Sequence, residues 1–327
     1  MDTEELIGLE DLEKNFRIIK IENNAAFLKL HYGRYTIKVR LPFTPNEKLA
    51  SLFGHILGDG CIKSKEENAY YTNKSKELKN EFKQAIEELF GIQVKENFNE
   101  ERQFYEVYSP KTIAKFLVLC GFPKGQKVEE IITIPNWIKN GSNEIKIAFV
   151  RALYDDEGTV INSKRNFIVS FGMNKKKSLL ESHRLFMEEI RKILISLEIN
   201  PNEIFERKQP GDCAQLGFHI YRRYNLIKFS QIVGFTDRNK QEKLLNAIGS
   251  YKTYGRYEAK MRILEALKTN DGLRTKELCQ IVKRDRDVIW KNMNRLVKEG
   301  SAKKILISKR GPIEKVLWKI NNLNDQR

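Results

Sequence analysis

The sequence predicts an α+β protein made of two related repeats and a third, smaller unit. Three observations lead to this fold class. A nine-residue motif occurs twice, the segments after each copy share one order of strand and helix patterns, and the last 72 residues match neither copy. Recurrence in a fixed order indicates a duplicated structural unit. We therefore predict four segments, residues 1–45, 46–141, 142–252 and 256–327.

The first segment, residues 1–45, alternates apolar and polar side chains, which is typical of β-strands. Asn23-Asn24 and Tyr32-Gly33 are candidate turns, so a β-rich extension is predicted. Pro42 and Pro45 indicate a junction with the first repeat. The pattern does not indicate a function for this extension.

The duplicated motif reads LFGHILGDG at residues 52–60 and VRALYDDEG at residues 150–158. Each copy is an apolar helical pattern that ends in an acid followed by glycine, and the acids are Asp59 and Glu157. Small residues in the motifs would let two helices approach closely; these are Gly54, Gly58 and Ala152. We expect such packing to bring the two acids together at the centre of the molecule.

The similarity between the halves continues downstream. Each motif is followed by a strand pattern, an Asn-Lys dipeptide and a long amphipathic helix; the dipeptides are Asn73-Lys74 and Asn174-Lys175. A strand, a helix, a Gly-Phe stop and a lysine follow, the lysine being Lys127 or Lys240. The predicted unit is a helix, a β-hairpin, a helix, a second strand pair and a closing helix, about 100 residues long.

Residues 256–327 predict three helices followed by two strands, the pattern of a winged helix-turn-helix. The predicted recognition helix spans about residues 285–299 and includes Arg286 and Lys291. The predicted wing tip is Lys309-Arg310-Gly311-Pro312. This segment carries 19 Lys and Arg against 9 Asp and Glu, a net charge of +10 out of +16 for the chain.

The excess of 59 Lys and Arg over 43 Asp and Glu favours a polyanionic partner, for which we predict double-stranded DNA. A highly charged, solvated surface is the alternative explanation of this composition. Arg222 and Arg223 lie between two tyrosines and are further candidates for DNA contact. No apolar run reaches the roughly 18 residues of a membrane span, and the acidic start lacks signal-peptide features, so we expect a cytoplasmic protein without membrane contact.

Two acids that face each other repel unless a cation lies between them, which favours a metal site at Asp59 and Glu157. Mg²⁺ (or Mn²⁺) binds few carboxylates together with water and phosphate oxygens, as phosphodiester hydrolysis requires. Lys74 and Lys175 are predicted to stabilise phosphate charge or polarise a water, and Asn73 and Asn174 to orient it or to cap a helix. Lys127 and Lys240 are alternatives for the basic role or are phosphate clamps.

The two motifs and the features downstream resemble the LAGLIDADG homing endonucleases in their single-chain, two-motif form, over roughly residues 46–250. The resemblance implies two pseudo-twofold αββαββα repeats whose saddle-shaped antiparallel sheets lie over the DNA major groove. It implies site-specific cleavage of both DNA strands by a monomer. The implied metal ligands are Asp59 and Glu157, with the backbone carbonyls of Gly58 and Asp156.

Two positions depart from the family motif without removing a metal ligand. Leu57 replaces the first acid of the first motif, and Asp156 adds a charge to the second, where Asp155 keeps the first acid. Many family members lie inside inteins, but we find no splicing block and expect a free-standing protein. The alternative functions are a non-cutting DNA-binding regulator with the same fold, which predicts eroded acids, and an RNA maturase.

Overall fold

The computed structural model describes residues 5–65, 67–163, 166–251, 258–310 and 313–321 of the chain. Within these ranges the protein is a mixed α+β structure, and its strands form antiparallel sheets. None of the helices in the described ranges is long and apolar enough to cross a membrane.

The N-terminal extension is a helix and a three-stranded meander: α1 (Leu9–Asn15), β1 (Arg17–Glu22), β2 (Ala25–Lys29) and β3 (Thr36–Arg40). Asn23 and Asn24 turn the first hairpin with φ values of 50° and 55°, and a two-residue turn of this kind needs positive φ at both positions. The ring of Phe43 contacts that of Phe116 in the first repeat at a centroid distance of 4.9 Å. The helix and meander of residues 9–40 share the core of the first repeat.

Both halves contain the same elements in the same order. The first half comprises α2 (Glu47–Leu57), β4 (Gly60–Ile62), β5 (Ala69–Asn73), α3 (Lys76–Phe90), β6 (Lys95–Asn99), β7 (Phe104–Tyr108) and α4 (Lys111–Leu119). After the short helix α5 (Asn136–Lys139), the second half comprises α6 (Asn143–Glu157), β8 (Gly158–Ser163), β9 (Asn166–Lys176), α7 (Leu180–Ser196), β10 (Phe205–Lys208), β11 (Cys213–Tyr221) and α8 (Arg223–Ile232). A further helix, α9 (Arg238–Gly249), follows.

The strand order is also shared. The first sheet is ordered β4-β5-β7-β6 and the second β8-β9-β11-β10, with every neighbouring pair antiparallel. The helices cover one side of each sheet, so that Tyr71 and Val107 of the first sheet are fully buried, as are Phe171 and Phe218 of the second. The repeated sequence pattern therefore corresponds to a repeated topology.

Helices α2 and α6 pack with their backbones in close approach. A Cβ atom on Gly54 would lie 2.6 Å from the Phe149 carbonyl oxygen and 2.8 Å from the Cβ atom of Ala152. A Cβ atom on Gly58 would overlap the side chain of Asp156. Only glycine fits at these two points, so the C-terminal ends of the two helices lie side by side, as the small motif residues predict.

The third unit has a core of its own around the buried Trp318. It comprises α10 (Glu258–Lys268), β12 (Leu273–Arg274), α11 (Thr275–Val282), α12 (Arg286–Lys298), β13 (Ala302–Arg310) and β14 (Ile313–Ile320), with sheet order β12-β14-β13. The Trp318 indole donates a 2.9 Å hydrogen bond to Thr275 Oγ1 and so ties the sheet to α11. Of the predicted wing tip, Gly311 and Pro312 lie outside the described residues.

We predict that Gly54→Ala lowers the free energy of unfolding by about 1–3 kcal/mol, because the added methyl group meets backbone atoms of α6 that have no space to move. The matched control is Gly249→Ala in α9, where a Cβ atom would meet nothing within 4 Å. This control is expected to be neutral or stabilising by up to about 1 kcal/mol through helix propensity. Chemical denaturation measures both, and equal stabilities of the two variants would contradict the close packing.

Candidate active site

A cleft of about 390 Å³ lies where the ends of α2 and α6 meet. Residues of both halves line it, among them Asp59, Asn73, Lys74, Asp156 and Lys240. Asp59 follows the last turn of α2, and Glu157 is the last residue of α6. The charge of Asp59, from the first half, raises the pKa of Glu157 in the second. The two motif acids therefore form one charged centre.

Both acids hold their protons more tightly than free carboxyl groups. The pKa of Asp59 is raised to about 6, first by loss of hydration in the cleft and then by the Asp156 carboxylate. Burial also raises the pKa of Glu157 to about 7, with the charges of Asp59 and Asp156 acting in the same direction. Lys127 and Lys240 oppose these shifts. Burial and the neighbouring carboxylates therefore outweigh the two lysines in setting the pKa values of both acids.

The extra acid of the second motif, Asp156, serves the interface between the halves. Its side chain is fully buried and crosses to the first half. There Oδ1 accepts a 2.6 Å hydrogen bond from the Tyr71 hydroxyl, and Oδ2 lies 3.1 Å from His55 Nδ1 and accepts a 3.2 Å bond from the Asp59 backbone N–H. The backbone carbonyl of Asp156 lies on the other side, 3.4 Å from Lys240 Nζ. The Asp156 side chain is thus a structural group.

His55 is the buried cation of this network. Burial by itself would lower its pKa, but the carboxylates of Asp156 and Glu81 outweigh burial and raise the pKa to about 10. His55 is not among the site residues that the sequence predicts. A histidine in an apolar motif helix, together with one surplus acid in the other motif, is the sequence signal that could have paired His55 with Asp156.

The first acid of the second motif, Asp155, also has a structural role. Its side chain is buried and accepts 3.0 Å hydrogen bonds from the backbone N–H groups of Thr236 and Asp237, at the start of α9. The first motif has Leu57 at this position, and α9 has no counterpart in the first half. This difference explains why one motif keeps the acid and the other does not.

Lys127 and Lys240 occupy matching places at the ends of the two motif helices. Lys127 Nζ donates to the carbonyls of Leu57, at 3.0 Å, and Gly58. Lys240 Nζ donates to the carbonyl of Asp155 and approaches those of its two chain neighbours at 3.4 Å. A cation is favourable at a helix C-terminus because the last carbonyls have no partner within the helix. These lysines therefore lie beside the acids and cap the helices that carry them.

The Asn-Lys dipeptides are not equivalent in the two halves, which corrects the sequence alignment by one residue. Gly60 pairs with Tyr71 in the first sheet, whereas its counterpart Gly158 pairs with Phe171 in the second. Tyr71 therefore matches Phe171. Further along the two chains, Asn73 matches Met173 and Lys74 matches Asn174. A shift of one residue moves a side chain to the other face of a strand.

This register places the four dipeptide residues differently. Asn73 donates a 2.8 Å hydrogen bond to Asp59 Oδ2, and Lys74 is exposed in the cleft. Asn174 is exposed, opposite Gln215 in the second sheet. Lys175 is buried, and its ammonium group donates to the carbonyls of Glu130, at 2.6 Å, and Lys127. Against the prediction, Lys175 therefore supports the loop that carries Lys127 and does not reach the acids.

The other predicted DNA-binding residues lie in the third unit or against it. Arg222 forms an ion pair with Asp287 of α12, and the Arg223 backbone N–H donates to Asp285 at 3.4 Å, so that both arginines lie against the third unit. Arg286 and Lys291 are exposed on α12. Lys309 and Arg310 end strand β13.

Comparison with known proteins finds a family model that matches part of the chain. Residues 46–121 match the family model described as a LAGLIDADG-like domain. That range begins at the N-cap of α2 and ends just after α4, so it covers the first αββαββα unit.

Curated relatives match a longer stretch. The Rpo1N subunit of DNA-directed RNA polymerase from Methanocaldococcus jannaschii is 26% identical over 261 residues, which is 70% of this chain and 19% of that protein. The replication factor C small subunit of the same organism is 26% identical over 232 residues, 70% of this chain and 12% of that protein. The chain thus spans about a fifth or less of the length of these two relatives.

Solved structures show looser likenesses. Mesophilic variants of the homing endonuclease I-DmoI align with a TM-score of 0.39 and 21% identity, over 57% of this chain and 95% of that chain. Full-length DUF199/WhiA from Thermatoga maritima aligns with a TM-score of 0.43 and 13% identity, over 77% of this chain and 90% of that chain.

The raised pKa of Asp59 leads to a prediction about stability in metal-free solution. A carboxyl whose pKa rises from 3.8 to about 6 on folding stabilises the folded state below pH 3.8 relative to higher pH, and this contribution is lost as the pH rises through about 6. We predict that Asp59→Asn raises the free energy of unfolding at about pH 8 and leaves it nearly unchanged at about pH 3.5.

Chemical denaturation in the presence of a chelator measures this difference at both pH values. The control is Asp212→Asn, which removes an exposed carboxylate outside the cleft. A variant that is destabilised at the higher pH would show that Asp59 is not under charge repulsion in the folded protein.

Proposed function

We propose that this protein is a site-specific endonuclease that hydrolyses both strands of double-stranded DNA at the centre between its two halves. The observation that carries the proposal is the pair of motif acids, Asp59 and Glu157, held at the ends of two close-packed helices with raised pKa values. Neighbouring carboxylates with raised pKa values beside a cleft are typical of functional sites. An acid that only forms a turn at a helix end does not require a second acid close by.

The donor set suits a divalent cation, Mg²⁺ or Mn²⁺. Asp59 and Glu157 would hold the ion, together with the Gly58 carbonyl, which already accepts a hydrogen bond from the Lys127 ammonium group. The described residues contain no cluster of three or more His, Cys, Asp or Glu side chains arranged for a metal, but Mg²⁺ commonly uses one or two carboxylates and completes its shell with water and phosphate oxygens. When bound, the metal would activate water and stabilise the charge on the scissile phosphate.

The surrounding side chains have roles that follow from their contacts. Asn73 fixes the orientation of the Asp59 carboxylate through the 2.8 Å hydrogen bond. Lys74, exposed in the same cleft, is positioned to meet a phosphate oxygen. Lys127 and Lys240 supply positive charge beside both acids, so that phosphate can approach an acidic centre. Asp156 and His55 hold the two helices in register through their buried ion pair.

DNA binding is assigned to two parts of the molecule. The exposed faces of the two sheets would lie along the major groove, in the saddle-like arrangement that the family resemblance implies. The third unit would act as a winged helix, with Arg286 and Lys291 of α12 presented to DNA. Both motif acids belong to one chain, so we propose a monomer as the active form.

The curated relatives are consistent with this proposal. The matching segment occurs in an RNA polymerase subunit and in a replication factor C subunit, whose names have no activity in common. A segment present in both is better explained as an independent module than as the source of either named activity.

A second candidate function is DNA binding without cleavage, for which the asymmetry of the site is a specific argument. Phe171 and Met173 stand in the second half where the first has Tyr71 and Asn73. Within the part of the chain that the structure describes, no strand amide contacts Glu157 as Asn73 contacts Asp59. Cleavage of both strands needs two competent halves, whereas binding alone tolerates this loss.

We predict that the wild-type protein cuts DNA in the presence of Mg²⁺ and that Asp59→Asn or Glu157→Gln lowers cleavage by at least about 100-fold while binding is retained, because the acids act on the reaction more than on affinity. The substrate is a plasmid library that includes the genomic flanks of the gene, and cleavage is followed by sequencing of the linear products. Glu144→Gln is the matched control, since Glu144 is an exposed acid at the opposite end of α6.

Two other outcomes separate the candidates. Specific binding without metal-dependent cutting would establish the non-cutting function and reject the nuclease. Cutting that survives both acid substitutions would place the reaction elsewhere in the protein.

A further inference from the structure

A second, larger groove lies far along the first half from the acids, between that half and the N-terminal extension. Its volume is about 900 Å³, and it shares no lining residue with the cleft of Asp59. The loop between β2 and β3, the turn between β4 and β5, the start of β6 and the start of α4 form its walls. We call it the extension groove.

The extension groove is strongly basic. Its basic lining residues are His31, Arg34, Lys65, Lys95, Lys111 and Lys115, and Glu67 is the one acid of the lining among the residues that the structure describes. Among the residues that the structure describes, no ion pair involves Arg34, Lys65, Lys95 or Lys111. Lysines and arginines gathered without carboxylate partners create a positive potential that attracts a polyanion.

Neutral hydrogen-bond donors accompany these charges. Tyr32 is fully exposed, and the side chains of Tyr35 and Tyr108 are about half or one-third exposed at the same groove. Helix α4 begins here, and its N-cap, Pro110, provides no side-chain acceptor for the first-turn N–H groups. Tyrosine hydroxyls and helix N-termini are, with lysine and arginine, the groups that proteins use to contact DNA phosphates.

The groove continues the exposed face of the first sheet. Lys95 pairs with Tyr108, which pairs in turn with Tyr70, so these side chains form one row across the sheet. Their chain neighbours Val107 and Tyr71 are fully buried on the opposite face, so the row points away from the core. DNA that lies along this face would reach the extension groove at the end of the row.

We propose that the extension groove binds the sugar–phosphate backbone of duplex DNA beyond the base pairs that the first sheet covers. This gives residues 5–45, which the sequence left without a function, the role of lengthening the DNA contact on one side of the cleavage centre. The proposal rests on the proposed DNA-binding function. It favours a duplex over a small anion because the basic residues come from four chain segments and the groove opens onto the sheet face.

The test measures the affinity of the full chain for a duplex of about 40 base pairs over a range of salt concentrations, without metal. Each phosphate contact contributes about 0.9 to the slope of log affinity against log salt. The triple variant Lys65→Gln, Lys95→Gln, Lys111→Gln should therefore lower the slope by about 2–3, and Lys95→Gln alone by about 1. All three lysines are exposed, so the substitutions leave the core intact.

The matched control is Lys192→Gln, which removes an exposed lysine from α7, outside both clefts. It should leave the slope at the wild-type value. The Lys192→Gln control should also keep the metal-dependent cleavage, because Lys192 lies outside both clefts.

The remaining outcomes overturn the proposal in distinguishable ways. A wild-type slope in the triple variant, with duplex binding and cleavage intact, would reject the groove and leave the proposed function standing. If the triple variant lost affinity only for a single-stranded probe, the ligand of the groove would be an unpaired strand and not a duplex. Absence of salt-dependent duplex binding by the wild-type protein would reject both the groove and the proposed function.

Discussion

The close approach of α2 and α6 is the constraint on which the rest of this structure depends. Gly54 and Gly58 allow the helix backbones to touch, and any larger residue would separate them. Because an α-helix has a fixed rise per residue, bringing the helices together also fixes where their ends lie. The acids that follow those ends, the strands that continue from them and the sheets built on the strands all take their positions from this contact.

The contact is held by a buried ion pair as well as by packing. His55 and Asp156 come from different halves and are both removed from water, which is unfavourable unless each finds partners. Tyr71, Asn73, Glu81 and the Asp59 backbone provide them. The contacts between the halves form only when the halves meet in one register, so they stabilise that register over others. The side chain of the extra acid in the second motif thus joins the two halves.

The two halves share a topology but have diverged in how they support their acids. In the first half, Asn73 contacts Asp59 directly. In the second half, the matching strand position is Met173. Polar contacts come instead from the start of α9, where the backbone N–H groups of Thr236 and Asp237 donate to the Asp155 side chain and Lys240 donates to the Asp155 carbonyl at the end of α6. Each half therefore presents one acid and one capping lysine, but only the first, among the described residues, adds a strand amide. In both halves burial and neighbouring carboxylates raise the pKa of the motif acid, and the two lysines oppose this rise.

The sequence by itself determined the repeat, its element order, the two acids and the lysines that follow each Gly-Phe stop, because these depend on local periodicity and on comparing one half with the other. It did not determine the strand register: aligning the Asn-Lys dipeptides put Asn174 and Lys175 one residue out of step, and one residue exchanges the faces of a strand. Nor did it reveal that Asp156 turns into the opposite half, that Lys175 supports the Lys127 loop, or that the N-terminal extension and the first sheet enclose a basic groove. Those features join residues that lie tens of positions apart along the chain, and only the packing of helices and the pairing of strands in three dimensions decides which of them meet.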